Sequence, residues 1–541
     1  MNISGGAFPD GVRLRARPFC NVHILLYFCA EILTAMKQKH NILRTVRICL
    51  AVFFFFFITL LFLDFTGTVH AYMGWMARIQ FIPALLALNF AVVAGLILLT
   101  VIFGRVYCSV ICPMGVMQDA ISWTRGRMKK KDRFRFSWSP AKKIMRYAFL
   151  AAFTLLLVLG LNSIATLIAP YSAYGRIAGS ILAPVYALCN NVLAYFAERM
   201  DSYAFYRTDI WIRSLSTMAI AVITLLTVGV LAWRNGRTWC NTVCPVGTIL
   251  GFFSKHSLFR IAIDTEKCRN CGLCGKQCKA SCINMKEHFV DNDRCVACMD
   301  CVGVCNENAI RYVFAPCAKK EAGADEAAKG EKGADAGRRT FITSSALVLG
   351  AAAAKAQDMK TDGGLAPVIP KKAPERGFRL TPAGSVSHRH FYRHCTGCQL
   401  CVAACPNGVL RPSASLEHFM QPEMSYERGY CRPECTRCSD VCPAGAFHRI
   451  TVEEKSSIQI GRAVVDLDLC VVNRDGVSCG NCAKHCPAAA IRLVRKDGSD
   501  SLRIPAVDTE RCIGCGACEN LCPSRPLSAI RVEGNDVHRT L

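Results

Sequence analysis

Of the 34 cysteines in this 541-residue chain, 24 fall into six short groups of four, and any fold must bring each group together. Cys268, Cys271, Cys274 and Cys278 stand at C-x2-C-x2-C-x3-C, and Cys295, Cys298, Cys301 and Cys305 repeat the spacing. This is the two-cluster ferredoxin pattern, in which three thiolates wrap one face of a cubane and the fourth reaches the partner cluster. The expected sets are Cys268, Cys271 and Cys274 with Cys305, and Cys295, Cys298 and Cys301 with Cys278. Neither run carries the usual Pro after its fourth Cys, where Lys279 and Asn306 stand instead. Four more groups all end in Cys-Pro: Cys395, Cys398, Cys401, Cys405; Cys431, Cys435, Cys438, Cys442; Cys470, Cys479, Cys482, Cys486; and Cys512, Cys515, Cys518, Cys522. The second widens its first gap to three residues and the third to eight, while the C-x2-C-x3-C-P core persists. Fourth-cysteine exchange can pair these groups as neighbours. It can also nest them, joining Cys395, Cys398 and Cys401 to Cys522, and Cys470, Cys479 and Cys482 to Cys442. Spacing leaves both open.

Zinc ribbons bring their thiolate pairs from separated segments, so four cysteines in one short run disfavour zinc. Disulfides are the rival for any exported part, but bridges inside such short groups would be strained, and cluster loading before export occupies every thiolate. The expected cofactors are therefore six [4Fe-4S] clusters. A net charge of +25 raises the question of nucleic acid. No basic-aromatic stripe accompanies it, and much of it flanks apolar runs, where membrane topology accounts for it.

With 52% hydrophobic residues the chain reads as part membrane, part soluble. Apolar segments at roughly 45–64, 80–103, 147–169 and 211–233 each approach the twenty or so residues of a membrane helix. The connection at 125–146 is dense in Arg and Lys and is expected inside, whereas 65–79 and 170–210 are poor in basic residues and are expected outside. An N-in, four-span domain follows. Met36 is an alternative start, so residues 1–35 read as an extension ahead of it. Within this domain Gly104-Arg105-Val106-Tyr107-Cys108 to Cys112-Pro113-Met114-Gly115 recurs as Gly236-Arg237-Thr238-Trp239-Cys240 to Cys244-Pro245-Val246-Gly247. Each copy ends an even-numbered span, so two similar helix pairs carry matching Cys-x3-Cys-Pro elements. Spacing by four puts Cys108 with Cys112, and Cys240 with Cys244, on one helix face. Two such pairs make a candidate shared redox site.

The expected division is a membrane domain at 36–259, an inner two-cluster domain at 260–316, a flexible linker at 317–337, and a twin-arginine signal or anchor at 338–356 around Arg338-Arg339 and Ala354-Lys355-Ala356. An outward four-cluster domain follows at 357–541. The fold class is thus a multi-domain chain, an α-helical four-span membrane domain plus α+β ferredoxin-like [4Fe-4S] domains. Asp64, His70 and Arg78 near the outer face are candidates for proton or anion handling, with an ordinary interfacial role the plainer reading. His388, His390 and His394 could ligate metal or simply form a solvated basic loop. Cys20, Cys29, Cys49, Cys189, Cys282 and Cys317 fit no group.

On these motifs residues from about 36 to 315 resemble the NapH-type membrane ferredoxins, and those from about 338 to 535 resemble the NapG/MauM-type four-cluster ferredoxins, here joined in one chain. The resemblance implies a quinol dehydrogenase-type electron-transfer component of the bacterial inner (cytoplasmic) membrane. It implies quinone as a further cofactor, the quinol pool as donor, and a periplasmic oxidoreductase or cytochrome, typically a nitrate reductase system, as acceptor. It implies cluster ligation by the six groups above. The rival expectation is a polyferredoxin acting in metalloenzyme assembly or as a metal reductase, but such proteins lack the exported four-cluster half.

Overall fold

The computed structural model describes residues 42–64, 67–128, 134–202, 205–208, 210–314, 369–496 and 501–541. The expected extension, linker and twin-arginine segment lie outside them. Helices α1 (Ile42–Leu63), α2 (Phe90–Phe103), α3 (Val106–Val110), α4 (Pro113–Met128) and α5 (Lys143–Val158) open the chain. They are followed by α6 (Pro170–Ile177), a π turn (Ala178–Leu182), α7 (Ala183–Arg199), α8 (Leu215–Asn235), α9 (Thr238–Thr242) and α10 (Pro245–Ser254).

Among the described residues three helices are long and apolar enough to cross a membrane: Ile42–Leu63, Pro170–Arg199 and Leu215–Asn235. Two of the expected spans are broken. Leu88 adopts φ 53° and Asn89 caps α2, splitting 80–103 and leaving 14 residues in α2. Gly160 at φ 78° ends α5 after 16 residues, with only a short helix, Asn162–Ala165, beyond it. The 170–210 region, expected as an outer loop, is instead mostly helix. Its mean hydropathy of 1.5, against 2.7 for Ile42–Leu63, explains why sequence alone passed over it. It doubles back: the Asn190 and Asn191 side-chain amides donate to the carbonyls of Tyr206 and Thr208, so the chain after α7 retraces it.

Among the described residues four chain segments run from one cysteine-rich module to the other. At the start of α1, Arg44 pairs with Asp300 at 2.8 Å, while Phe62 at its end packs beside Gly175 and Cys398. Ala87, ahead of α2, meets Gly445, and Tyr312 donates to the Phe103 carbonyl at the end of α2. Arg146 in the first turn of α5 pairs with Asp293, and Asn162 beyond its end donates to the Arg393 carbonyl. Trp211 ahead of α8 lies under Arg428, and Arg237 after α8 donates its backbone N–H to Lys279.

The modules are built from two-stranded sheets too small to stand alone. At one end β1 (Phe259–Ile263) pairs with β4 (Ile310–Phe314), and β2 (Ile283–Asn284) with β3 (Phe289–Val290). At the other end β5 (Leu410–Pro412) pairs with β6 (Pro422–Met424), β7 (Ile458–Val465) with β10 (Ile530–Thr540), and β8 (Ile491–Arg495) with β9 (Arg503–Val507). Cysteines make up much of both module cores, in the place where larger apolar side chains would otherwise pack. Small scaffolds of this kind draw their stability from a metal staple.

Candidate functional site

Four cavities in the modules are each walled by three cysteines from one group and the fourth of a neighbouring group, with Cys282 added in one of them. Cys295, Cys298 and Cys301 share theirs with Cys278, as expected. Cys395, Cys398 and Cys401 share with Cys442, Cys470, Cys479 and Cys482 with Cys522, and Cys512, Cys515 and Cys518 with Cys486. Cys405 lies in the electrostatic field of Cys431 and Cys438, and Cys305 in that of Cys274. The cavity walls thus gather the cysteines as neighbour exchange requires and not as the nested alternative requires. Long-range strand pairing is the reason: β7–β10 encloses the third and fourth groups as one unit, just as β1–β4 encloses the first two.

The backbone around the cysteines is bent to receive something. In all four regularly spaced groups the second residue after the first Cys and the first residue after the second Cys have positive φ. These are Asn270 and Gly272, Ala297 and Met299, Gly397 and Gln399, and Gly514 and Gly516. Left-handed Ala, Met and Gln are uncommon and strained, and a bound cluster offsets that cost by fixing three thiolates around one centre. Among the described residues no three His, Cys, Asp or Glu side chains converge tightly enough for a single metal ion. Zinc would draw its sulfurs to about 2.3 Å from one point. Thiols spread around a cavity suit an iron-sulfur cluster instead.

The repeated Cys-x3-Cys-Pro elements form one buried site between them. Gly104 and Gly236 end α2 and α8 at φ 71° and 70°, and Pro113 and Pro245 start α4 and α10, where a missing N–H costs nothing. Cys108, Cys112, Cys240 and Cys244 are each about 5% exposed or less and lie in one another's electrostatic fields. The arginines cross over. Arg237 donates to the Cys108 carbonyl at 2.7 Å, and Arg105 donates to the Cys240 carbonyl at 3.4 Å and to Asn241 at 2.8 Å. A Cβ on Gly115 would lie 2.2 Å from the Cys108 carbonyl oxygen, and one on Gly247 would lie 2.2 Å from that of Cys240, so both positions require glycine. Arg237 has Asp119 at 2.7 Å. The position equivalent to Asp119 in the second copy is Gly251, and no carboxylate among the described residues pairs with the fully buried Arg105. The Arg105 guanidinium is held instead by Asn241, by the Asp293 carbonyl at 3.1 Å and by the Cys108 sulfur at 3.8 Å, while the Cys240 sulfur lies 3.9 Å from Arg237.

One core cluster joins this site to both modules, running from Val296 and Cys298 through Cys108, Cys112, Tyr107 and Tyr171 to Cys398. Around it the 260–314 module is fastened by charge: Lys279 meets Asp119 at 3.1 Å and Asp300 at 2.8 Å, and Arg47 meets Asp119 at 3.2 Å. Burial opposes the charge on Asp300, yet Lys279, Arg44 and Arg47 hold its carboxyl well below the usual range.

The remaining candidates have structural duties. Asp64 accepts the backbone N–H groups of Gly67, Val69 and His70, closing a turn, and a His70 ring nitrogen lies 2.8 Å from the Leu61 carbonyl. Arg78 donates to the Asp440 carbonyl where the bundle meets the 369–541 module. His390 stacks with His394 and His448, and His388 lies against Tyr392 and His418, without three metal donors converging. Sequence reasoning missed Cys282, whose sulfur lies 3.4 Å from that of Cys278 and which helps wall the same cavity. Its spacing, four residues after Cys278, was the available signal.

Two family models match. One, a 4Fe-4S binding domain, covers residues 85–131 and 216–264, the two repeat copies; the other, a 4Fe-4S dicluster domain, covers residues 394–446 and 477–525. The ferredoxin-type protein NapG of Escherichia coli is 33% identical over 176 residues, 29% of this chain and 74% of that protein. The ferredoxin-type protein NapH of Haemophilus influenzae is 25% identical over 221 residues, 39% of this chain and 63% of that protein. The uncharacterised protein MJ0749 of Methanocaldococcus jannaschii is 32% identical over 108 residues, and the chain spans 43% of its length. No solved structure matches. Cysteine-walled cavities at both ends of an apolar helical bundle, together with this likeness, show that the chain belongs to the NapH/NapG-like ferredoxin-type family of iron-sulfur electron-transfer proteins.

Proposed function

We propose that this chain is a multi-pass protein of the bacterial inner membrane that carries electrons from the quinol pool, through six [4Fe-4S] clusters, to an oxidoreductase or cytochrome on the periplasmic side. The observation that carries the reading is the pair of cysteine-rich modules at opposite ends of one apolar bundle, joined by four chain segments. Within the basic stretch at 125–146 the Phe136 backbone N–H donates to the Lys276 carbonyl of the 260–314 module, which supports an inner position for that module and an outer one for residues 369–541 under the positive-inside rule.

The six sets of ligands are Cys268, Cys271, Cys274 and Cys305; Cys295, Cys298, Cys301 and Cys278; Cys395, Cys398, Cys401 and Cys442; Cys431, Cys435, Cys438 and Cys405; Cys470, Cys479, Cys482 and Cys522; and Cys512, Cys515, Cys518 and Cys486. Bound there, each cluster takes up and releases one electron at a time, at a potential tuned by hydrogen bonds to sulfur and by solvent exposure. Cys108, Cys112, Cys240 and Cys244 form a further redox site between the modules, with Arg105 and Arg237 balancing its charge. The metal-reductase reading of the polyferredoxins has no comparable use for four cysteine sets docked on the outer face. The test is anaerobic reconstitution with menaquinol and ubiquinol analogues. Bleaching of the cluster absorbance is expected, and its absence with every quinol removes the quinol role.

A further inference from the structure

Where the bundle meets the 369–541 module, buried donors gather that no group among the described residues satisfies. Arg176, on α6, is 0% exposed. Its Nη2 donates to the carbonyls of Thr166 and Leu167 at 3.2 and 3.0 Å, but its Nε and Nη1 have no partner. It meets no carboxylate among the described residues, and the ionisable group it faces is the thiol of Cys398. Tyr171, earlier on the same helix, is 2% exposed and its hydroxyl is likewise unpartnered, with the thiols of Cys398 and Cys442 as neighbours. Both cysteines wall one cavity, that of the Cys395 set. Gly175, next to Arg176, leaves no room for a Cβ against the Cys398 carbonyl, so the two surfaces meet directly.

A fully buried guanidinium without a counter-charge is strongly unfavourable, and each buried donor left unmade adds to that cost. A [4Fe-4S] cluster held by Cys395, Cys398, Cys401 and Cys442 supplies what is missing, because its thiolates and sulfides bring negative charge and hydrogen-bond acceptors. The 260–314 module shows the contrast. Around Cys298 the charges are mixed, with Lys279 and Arg47 balanced by Asp300 and Asp119. Beside Cys398 the positive charge is unbalanced. Half-buried Arg213, just ahead of α8, adds to it, facing the thiols of Cys405 and Cys401 and again no carboxylate among the described residues. Both arginines come from the bundle, and neither belongs to the module that holds the cysteines.

We infer that Arg176 is a positioning residue that raises the reduction potential of the Cys395-set cluster from across the contact, so that this cluster reaches its working potential only while its module is docked on the bundle. The inference rests on the cluster reading above and adds which cluster the bundle controls. Reduction places one electron on the cluster and neither forms nor breaks a bond. The added negative charge is favoured beside Arg176, in a buried place where charges are weakly screened. The coupling is reciprocal, so docking that favours reduction is itself tightened by reduction, by the same factor.

The test is a redox titration of the full-length, cluster-loaded protein followed by electron paramagnetic resonance. Arg176→Met, which keeps the length of the side chain and loses its charge, should make one cluster roughly tenfold harder to reduce, about 59 mV for one electron. Arg176→Lys should stay near wild type, with iron content unchanged in both. In the Cys395→Ser/Cys442→Ser background, which lacks that cluster, Arg176→Met should move no potential. Hydrogen exchange should show residues 393–399 better protected in reduced than in oxidised wild type, a difference that Arg176→Met removes. Arg213→Met, on a separate segment, should lower the same potential by a smaller amount, and it decides the matter should Arg176→Met fail to fold. Potentials unmoved in the arginine variants, or an Arg176→Lys protein shifted as far as Arg176→Met, overturn the inference while the cluster relay stands. A Cys395→Ser/Cys442→Ser protein that loses no iron overturns the cluster reading of that cavity, and the inference falls with it.

Discussion

The two modules use the same cluster architecture and fasten it to the bundle in opposite ways. The 260–314 module is held by ions: Arg146 and Asp293 pair through two bonds of 2.7 and 2.9 Å, and Lys279, Asp119, Asp300, Arg44 and Arg47 form a connected network. The 369–541 module is held by close fit and by hydrogen bonds to carbonyls, with Cys398 seated against Gly175, where a Cβ would lie 2.4 Å from the Cys398 carbonyl oxygen, and with Asn162 and Arg78 donating to the Arg393 and Asp440 carbonyls. A charged contact tolerates titration and salt poorly, because its strength depends on both partners staying ionised. An apolar contact responds to volume instead. The 260–314 module should therefore be the one whose docking answers to pH, and the 369–541 module the one whose docking answers to changes of volume at the contact.

What the modules share is the first thing to break. With neighbour exchange in both, the double variant Cys395→Ser/Cys442→Ser should cost the outer module one cluster, about four irons per chain, as Cys268→Ser/Cys305→Ser should cost the inner one. Loss of about eight irons from the outer pair alone would restore the nested arrangement there and end the likeness. Iron and acid-labile sulfide analysis decides it.

Next in size is Asp293→Ala, which leaves Arg146, 2% exposed, without its carboxylate. Stranding a buried guanidinium costs about 3–5 kcal/mol. Hydrogen exchange should show residues 260–314 loosened while 369–541 keeps its protection. Equal loosening of both would mean that the two contacts are not independent.

The smallest effect is that of acid. Asp300 has its carboxyl pKa lowered in the fold, so it contributes stability that is complete above the unfolded value, about 3.9, and disappears as pH falls through the lower folded value. Wild-type protection at the inner contact should therefore drop as pH falls below about 4. Asp300→Asn should be loosened already at neutral pH and show less further loss, with the outer contact following neither change.

The sequence by itself determined the local chemistry. Cysteine spacing within one or two turns dictates which three thiols can face one centre, so the grouping of the cysteines was legible, as were the two repeat copies. Helix breaks at Leu88 and Gly160 were not, because an apolar run reads alike whether the chain inside it is straight or bent. Tertiary structure decided what depends on residues far apart in the chain. The β7–β10 pairing, bridging strands some seventy positions apart, chose between neighbour and nested exchange. The crossover of Arg105 and Arg237 turned two Cys-x3-Cys-Pro elements into one site, and docking of Gln399 against the π turn created a hollow that neither half contains. Ligand spacing is a property of a few adjacent residues, whereas partner choice and cavities arise from which surfaces meet, and that is settled by the packing of the whole chain.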